Sequence, residues 1–176
     1  MDIGSKEKYP ANALSNFTPH PFVFDGVKCN SMEGLLQSFK TNDQPIQEHI
    51  CTLVGIGAKR RGRNINWWKA QTLYWKGVAY PRESKGYQEL LTRAYDALGK
   101  NSSFRKALLA SRDAVLRHSI GTKEKDRTIL TEQEFCSQLT RLRSILQDEE
   151  REAKLQAQKD VPVVPQLIRG KKGKRR

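Results

Sequence analysis

Leu14-Ser15-Asn16-Phe17, then Pro21-Phe22-Val23-Phe24-Asp25-Gly26, then Ser31-Met32-Glu33-Gly34-Leu35-Leu36-Gln37-Ser38-Phe39-Lys40, decide how this chain is read. Phe22-Val23-Phe24 alternates into Asp25-Gly26, a strong turn dipeptide, and Val27-Lys28-Cys29 returns as a second strand. Asn30 and Glu33 have the N-cap and N3 spacing of a capping box, which predicts a helix from Ser31. On that helix Glu33, Gln37 and Lys40 stand at i, i+4 and i+7 and share one face. A carboxylate, an amide and an amine in one stack are costly to bury without polar partners, so the stack marks a candidate site. Each residue also has a plain reading. Glu33 is then a cap that bonds the Asn30 backbone, and Lys40 is a solvated surface amine.

Working outward, residues 1–12 are polar and expected to be loose. Pro45 opens a helical stretch through Ile46, Ile50, Leu53 and Val54, and Gly55 to Arg63 reads as a glycine-punctuated basic loop. Trp67, Trp68, Leu73, Tyr74 and Trp75 form an aromatic cluster, and Lys76-Gly77 before Val78-Ala79-Tyr80-Pro81 predicts a small hairpin. Ser84 to Leu98 is helical by period, Ser103 caps a short helix from Phe104 to Ala110, and Val115 to Ile120 is strand-like, ended by Gly121. Thr131-Glu132-Gln133-Glu134 is a second capping box. It opens a last helix docked by Phe135, Leu139, Leu142 and Ile145/Leu146. Beyond Leu146 the sequence turns charged and Gln-rich to Lys159, leaving no face to bury. Val161-Pro162-Val163-Val164-Pro165 ends the helix, and the basic terminus is expected to be disordered.

The expected architecture is an α+β, helix-dominated single domain around a small β core. It comprises a flexible N-terminus (1–12), a domain (13–147), and a charged helix extension with a basic tail (148–176). The chain has 176 residues, enough for one domain with a real core. Its net charge is +13, and the acid-free stretch from Arg169 to Arg176 accounts for only part of it, leaving +7 in residues 1–168. A body that is basic in its own right favours phosphate-rich partners, either a nucleic acid or a ligand carrying a pyrophosphate; solubility alone is the plain alternative. Cys29, Cys51 and Cys136, like His20, His49 and His118, are too scattered for a zinc or disulfide framework, so neither metal nor cofactor is expected. Without an export-type N-terminus or a long apolar run, the expectation is a cytoplasmic protein with no membrane partner.

Several residues offer chemistry. A carboxylate such as Glu33 orients water or stabilises an oxocarbenium-like transition state. A desolvated amine such as Lys40 acts as nucleophile or acid. Arg61 and Arg63 bring guanidinium forks suited to a pyrophosphate, although exposed basic loops are common. Trp75 either fills the core or stacks a nucleobase. Asn16 beside Phe17 is a turn residue or an amide reaching a ligand. His118, ahead of Ser119 and Gly121, reads first as structural. The tail from Gly170 to Arg176 is an electrostatic arm or inert.

The opening segments resemble the NADAR/YbiA-like family of N-glycoside hydrolases. Leu14 to Phe17 is similar to the family's aromatic/Leu-Ser-Asn-Phe element, and Phe22 to Gly26 to its strand ending in Asp-Gly. Ser31-Met32-Glu33 with Gln37 and Lys40 resembles its Ser/Thr-x-Glu-x-x-x-Gln-x-x-Lys helix. Ala58 to Arg63 and Phe104 to Ala110 resemble later segments. The likeness spans residues 13–146 and is most specific in the first third. It implies an α+β fold and hydrolysis of an N-glycosidic bond between ribose and a base or amine, with no cofactor. It makes Glu33 the catalytic carboxylate, with Asn16, Gln37 and Lys40 beside it. The expected site as a whole has Glu33 and Lys40 as catalytic residues and Asn16, Phe17, Gln37, Arg61, Arg63, Trp75, His118 and Gly121 as substrate contacts. Two departures bear on the substrate: Gly121 to Thr131 replaces a Trp-Gly-Asp-Gly loop and an Asn-Arg-Leu-Gly run, and Tyr74-Trp75-Lys76-Gly77 resembles an insertion. They favour the branch that removes ADP-ribose from guanine, in DNA, RNA or a nucleotide, over cleavage of ribosylamino-pyrimidine phosphates of the riboflavin pathway. A binding module that holds the same ligands without turnover is the non-enzymatic alternative.

Overall fold

The computed structural model describes residues 1–160, and among these two tight hairpins and six α-helices build the body. The basic tail expected to be disordered lies outside the described residues. Strands β1 (Phe22–Phe24) and β2 (Val27–Cys29) pair antiparallel, Phe22 opposite Cys29. Asp25 and Gly26 both take positive φ, 47° and 80°, the geometry that a two-residue hairpin turn demands. Strands β3 (Thr72–Trp75) and β4 (Val78–Pro81) form a second, separate hairpin around Lys76 and Gly77, with φ of 48° and 83°. The fold is α+β and helix-dominated, as the sequence implies.

The centre of the molecule is α1 (Met32–Ser38), all of whose residues are buried. It packs against α2 (Gln44–Cys51) and α3 (Gly55–Arg63) at unusually close range. A Cβ on Gly34 would stand 2.6 Å from the Leu53 carbonyl oxygen and 2.9 Å from that of Ile50, and one on Gly62 would stand 2.0 Å from Gln37 Oε1. Only glycine lets the Gly34 backbone come this close to those carbonyls and leaves room for the Gln37 side chain at Gly62. The remaining core comes from α4 (Lys85–Leu98), α5 (Ser102–Ala110) and α6 (Glu132–Lys159), through Tyr87, Leu91, Tyr95, Phe104, Leu108, Phe135 and Leu139. The capping box at Thr131 and Glu134 forms on both sides, as its spacing predicts. Its Glu134 also takes both guanidinium nitrogens of Arg82, at 3.0 and 2.7 Å, which ties α6 to the end of β4.

Five local expectations are corrected. The helix cap is Ser31, whose Oγ accepts from the Gly34 amide at 3.0 Å, whereas Asn30 donates to the Thr52 carbonyl; Glu33 is thus freed from capping. Gly55 to Arg63 is a helix and not a loop. Of its glycines only Gly62 is held in a tight contact, against Gln37. Residues 1–12 are not loose, because Ile3 is buried and its amide donates to the Arg117 carbonyl at 2.8 Å. Val115 to Ile120 makes a single bridge, Asp2 to Arg117, and no strand. The cap of α5 is Asn101, two residues before the serine expected to serve. No helix among the described residues is long and apolar enough to cross a membrane.

Candidate functional site

Glu33 lines a cleft of about 210 Å³ between α1, the N-terminal segment and the loop that leads into α6. Three features place it there. Ser31 starts the helix two residues earlier, the Glu33 amide donates to the Asn16 carbonyl at 3.0 Å, and Gly34 seats α1 on the end of α2. Its Oε1 accepts from Gln37 Nε2 at 2.9 Å. Its Oε2 has no hydrogen-bond partner among the described residues and is not sealed from the cleft. Burial pushes the Glu33 carboxyl above the usual carboxylate range, against the pull of the Gln37 amide and of the Lys59, Lys40 and His118 side chains.

The predicted stack divides. Glu33 and Gln37 face the cleft, whereas Lys40 is not among its lining residues, and its ammonium lies 3.4 Å from the Gly62 carbonyl. Burial pulls the Lys40 ammonium down to about 8; Glu33 opposes that shift and Lys59 adds to it. The cation at the cleft wall is Lys59, which sequence reasoning left unremarked inside the supposed loop. It stands 5.7 Å over the Phe17 ring. A usable signal was there: Ala58 and Gly62 are small residues at i and i+4, which defines an inward face and puts Lys59 at its edge.

Asn16, Phe17, His118 and Gly121 also line the cleft. Asn16 Oδ1 accepts from Tyr95 Oη at 3.1 Å, and the Asn16 amide nitrogen makes no hydrogen bond among the described residues. Tyr95 is fully buried, which holds its phenol protonated and fixes which way the Asn16 amide points. One His118 ring nitrogen, Nδ1, bonds the Ile3 carbonyl at 2.8 Å, so the docked N-terminus orients this wall.

Trp75 and the two arginines fall elsewhere. Trp75 is 3% exposed, stacked on Phe24 at 5.3 Å with Phe39 edge-on, and its Nε1 donates to Asp25 at 2.8 Å. No face is left for a base, so the stacking role is corrected: Trp75 joins the two hairpins. Arg61 and Arg63 are exposed on α3 and do not line the cleft. Among the described residues, no group of three His, Cys, Asp or Glu side chains is placed to hold a metal ion.

Comparison with known proteins fixes the kinship. Residues 8–144 match the family described as Bacteriophage protein GP30.3. The chain belongs to the GP30.3 family. A relative from Enterobacteria phage T4, described as an "Uncharacterized 17.1 kDa protein in Gp30-rIII intergenic region", is 43% identical over 151 residues, covering 83% of this chain and 98% of the relative. The solved NMR structure of the E. coli protein YbiA superposes with a TM-score of 0.54 at 22% identity, covering 85% of each chain. The resemblance to the NADAR/YbiA-like family therefore holds as a distant likeness of fold, while the sequence family is the GP30.3 one. The GP30.3 match takes in Asn16, Phe17, Glu33, Gln37, Lys59, His118 and Phe135, and so nearly the whole cleft wall.

Proposed function

We propose that the chain is an N-glycosidase that hydrolyses the bond between ribose and a base, releasing ADP-ribose from guanine in a nucleic acid or nucleotide. The observation that carries this reading is Glu33: a carboxylate buried in a cleft wall, held by Gln37 through one oxygen and open to the cleft through the other. A fold shared with YbiA is consistent with it and adds no residue-level support.

In this reading the C1′–N bond breaks with its electron pair leaving on the base nitrogen, which takes up a proton. Water forms the new C1′–O bond. Glu33 Oε2 faces the developing positive charge at C1′ and accepts the proton of the attacking water. Gln37 fixes the carboxylate rotamer, and the Asn16 amide donates to a ribose hydroxyl. Lys59 stands at the mouth as the counter-charge for a phosphate on the sugar, and it and, less strongly, Lys40 behind the wall draw the Glu33 carboxyl toward ionisation against its burial. The cleft is smaller than the roughly 300–1,000 Å³ usual for a whole small-molecule ligand. It suits a single sugar and its linkage, with the rest of the ligand lying outside.

The test is release of ADP-ribose from a guanine-ADP-ribosylated oligonucleotide, run beside release of pyrimidine from a ribosylamino-pyrimidine phosphate. Turnover of the first by the wild type, and its loss in Glu33→Gln, is the expected result. Full turnover by Glu33→Gln removes Glu33 from the chemistry, and preference for the pyrimidine replaces the substrate. Tight binding without turnover of either makes the cleft a ligand sensor.

A further inference from the structure

A second surface begins where the cleft ends. Between Glu48 and Glu83 the chain has no acidic residue, yet it carries Lys59, Arg60, Arg61, Arg63, Lys69, Lys76 and Arg82. Arg82 is buried against Glu134 and Lys76 is bonded to the Asp25 carbonyl. Lys59, Arg60, Arg61, Arg63 and Lys69 are exposed, and none of them enters an ion pair among the described residues.

Helical geometry arranges these cations. Successive residues turn by about 100°, and Gly55, Ala58 and Gly62 mark the inner side of α3. Lys59, Arg63, Ile56 and Arg60 then follow one another around the adjoining face, starting at the cleft edge. Just past the helix, Trp67 is buried but Trp68 is 48% exposed. Gln71 joins Trp68 to the opposite bank by donating to the carbonyls of Trp68, at 2.8 Å, and of Asp126, at 3.0 Å. That bank bears Lys123, Lys125 and Arg127 against Glu124 and Asp126, so most of the positive charge lies on the α3 side.

The geometry points to a single-stranded nucleic-acid track running along α3 and over Trp68, past the mouth of the Glu33 cleft. Cations without counter-ions meet the phosphates, and the half-exposed indole offers a stacking platform for one base. An acidic peptide would satisfy the arginines and leave the indole unused, so a polymer alternating charge with flat rings fits better. This inference extends the proposed function by naming a polymeric partner, but its binding test does not require turnover.

The experiment measures anisotropy of a short fluorescein-labelled oligothymidylate titrated with the full chain over a range of salt. Arg60→Ala with Arg63→Ala should lower the slope of log affinity against log salt by about 1.4, at roughly 0.7 for each phosphate no longer neutralised. Trp68→Ala should weaken binding by about tenfold or more, the scale of one missing base stack, and Trp68→Phe should restore most of it. Oligothymidylate carries neither guanine nor ADP-ribose, so loss of chemistry and loss of the track are read separately. Unchanged affinity and slope in the α3 and Trp68 variants overturns the proposal. So does competition by inorganic polyphosphate or by phosphatidylserine vesicles that matches unlabelled oligonucleotide per charge.

Discussion

Two glycines on α3 should respond in opposite ways to the same substitution. At Gly62 an added Cβ would lie 2.0 Å from Gln37 Oε1, 2.8 Å from Cδ and 2.9 Å from Cβ. The Gln37 side chain cannot clear it by rotating its amide alone, because its own Cβ is already too close. Overpacking of this kind costs roughly 1–3 kcal/mol. Loss of the Gln37–Glu33 bond adds about 1.5–3 kcal/mol for a hydrogen bond to an ionised group. Replacing a helical glycine returns about 0.5–1 kcal/mol. Gly62→Ala should therefore destabilise by about 2–5 kcal/mol. Gly57 has nothing within 4 Å of its Cβ position, so Gly57→Ala should stabilise by about 0.5–1 kcal/mol. Urea unfolding of both variants gives the two numbers, and adding Gln37→Ala to Gly62→Ala should recover the overpacking share. If Gly62→Ala is as stable as Gly57→Ala, the account of how α1 and α3 meet is wrong.

Glu33→Gln should raise the melting temperature at pH 7, because burial holds the folded carboxyl above its ordinary 4.5 and ionisation there opposes folding. The folded state binds the extra proton between those two values, so the variant's advantage should shrink as pH falls toward 4.5; an advantage independent of pH counts against this cause. Glu134→Gln breaks a pair whose side chains are 1% and 9% exposed and should cost about 3–5 kcal/mol in chemical denaturation; a loss under about 1 kcal/mol would show the pair to be well hydrated. Trp75→Phe should lower stability while leaving ligand affinity unchanged by calorimetry, whereas weaker binding would return Trp75 to the site. In wild-type turnover a basic limb near pH 8 is expected as Lys40 loses its proton, and Lys40→Arg should remove that limb; a limb that persists belongs to another group.

Where a signal was local, the sequence was enough. Asp25-Gly26 and Lys76-Gly77 specify their turns by φ alone, and Thr131 with Glu134 specifies its cap by two reciprocal bonds. Glu33 and Gln37 were legible because i, i+4 spacing on a short helix leaves little freedom. Failures arose where a residue answers to a distant partner. Gly62 looks like loop punctuation until Gln37 of α1 is seen lying against it. Ile3 looks like part of a polar leader until Arg117 is seen beside it. Trp75 looks free to stack until Asp25 and Phe24, about 50 residues away, are seen to enclose it. Lys59 escapes notice for the same reason: a loop has no inner side, and a helix does.

The last helix outlasts the body that it braces. Leu146 is its final buried residue and every position from Asp148 to Lys159 is exposed; Arg105 still holds Glu149 at 2.8 Å, so beyond that pair, at 1.5 Å per residue, a spur about 15 Å long stands off the domain. The family match stops at residue 144, before the spur begins. Such a rod carries its own far end, at Lys159, clear of the body that α6 braces. Lengthening it by two residues would turn that end by about 200° and carry it only about 3 Å further out, so its phase matters more than its reach.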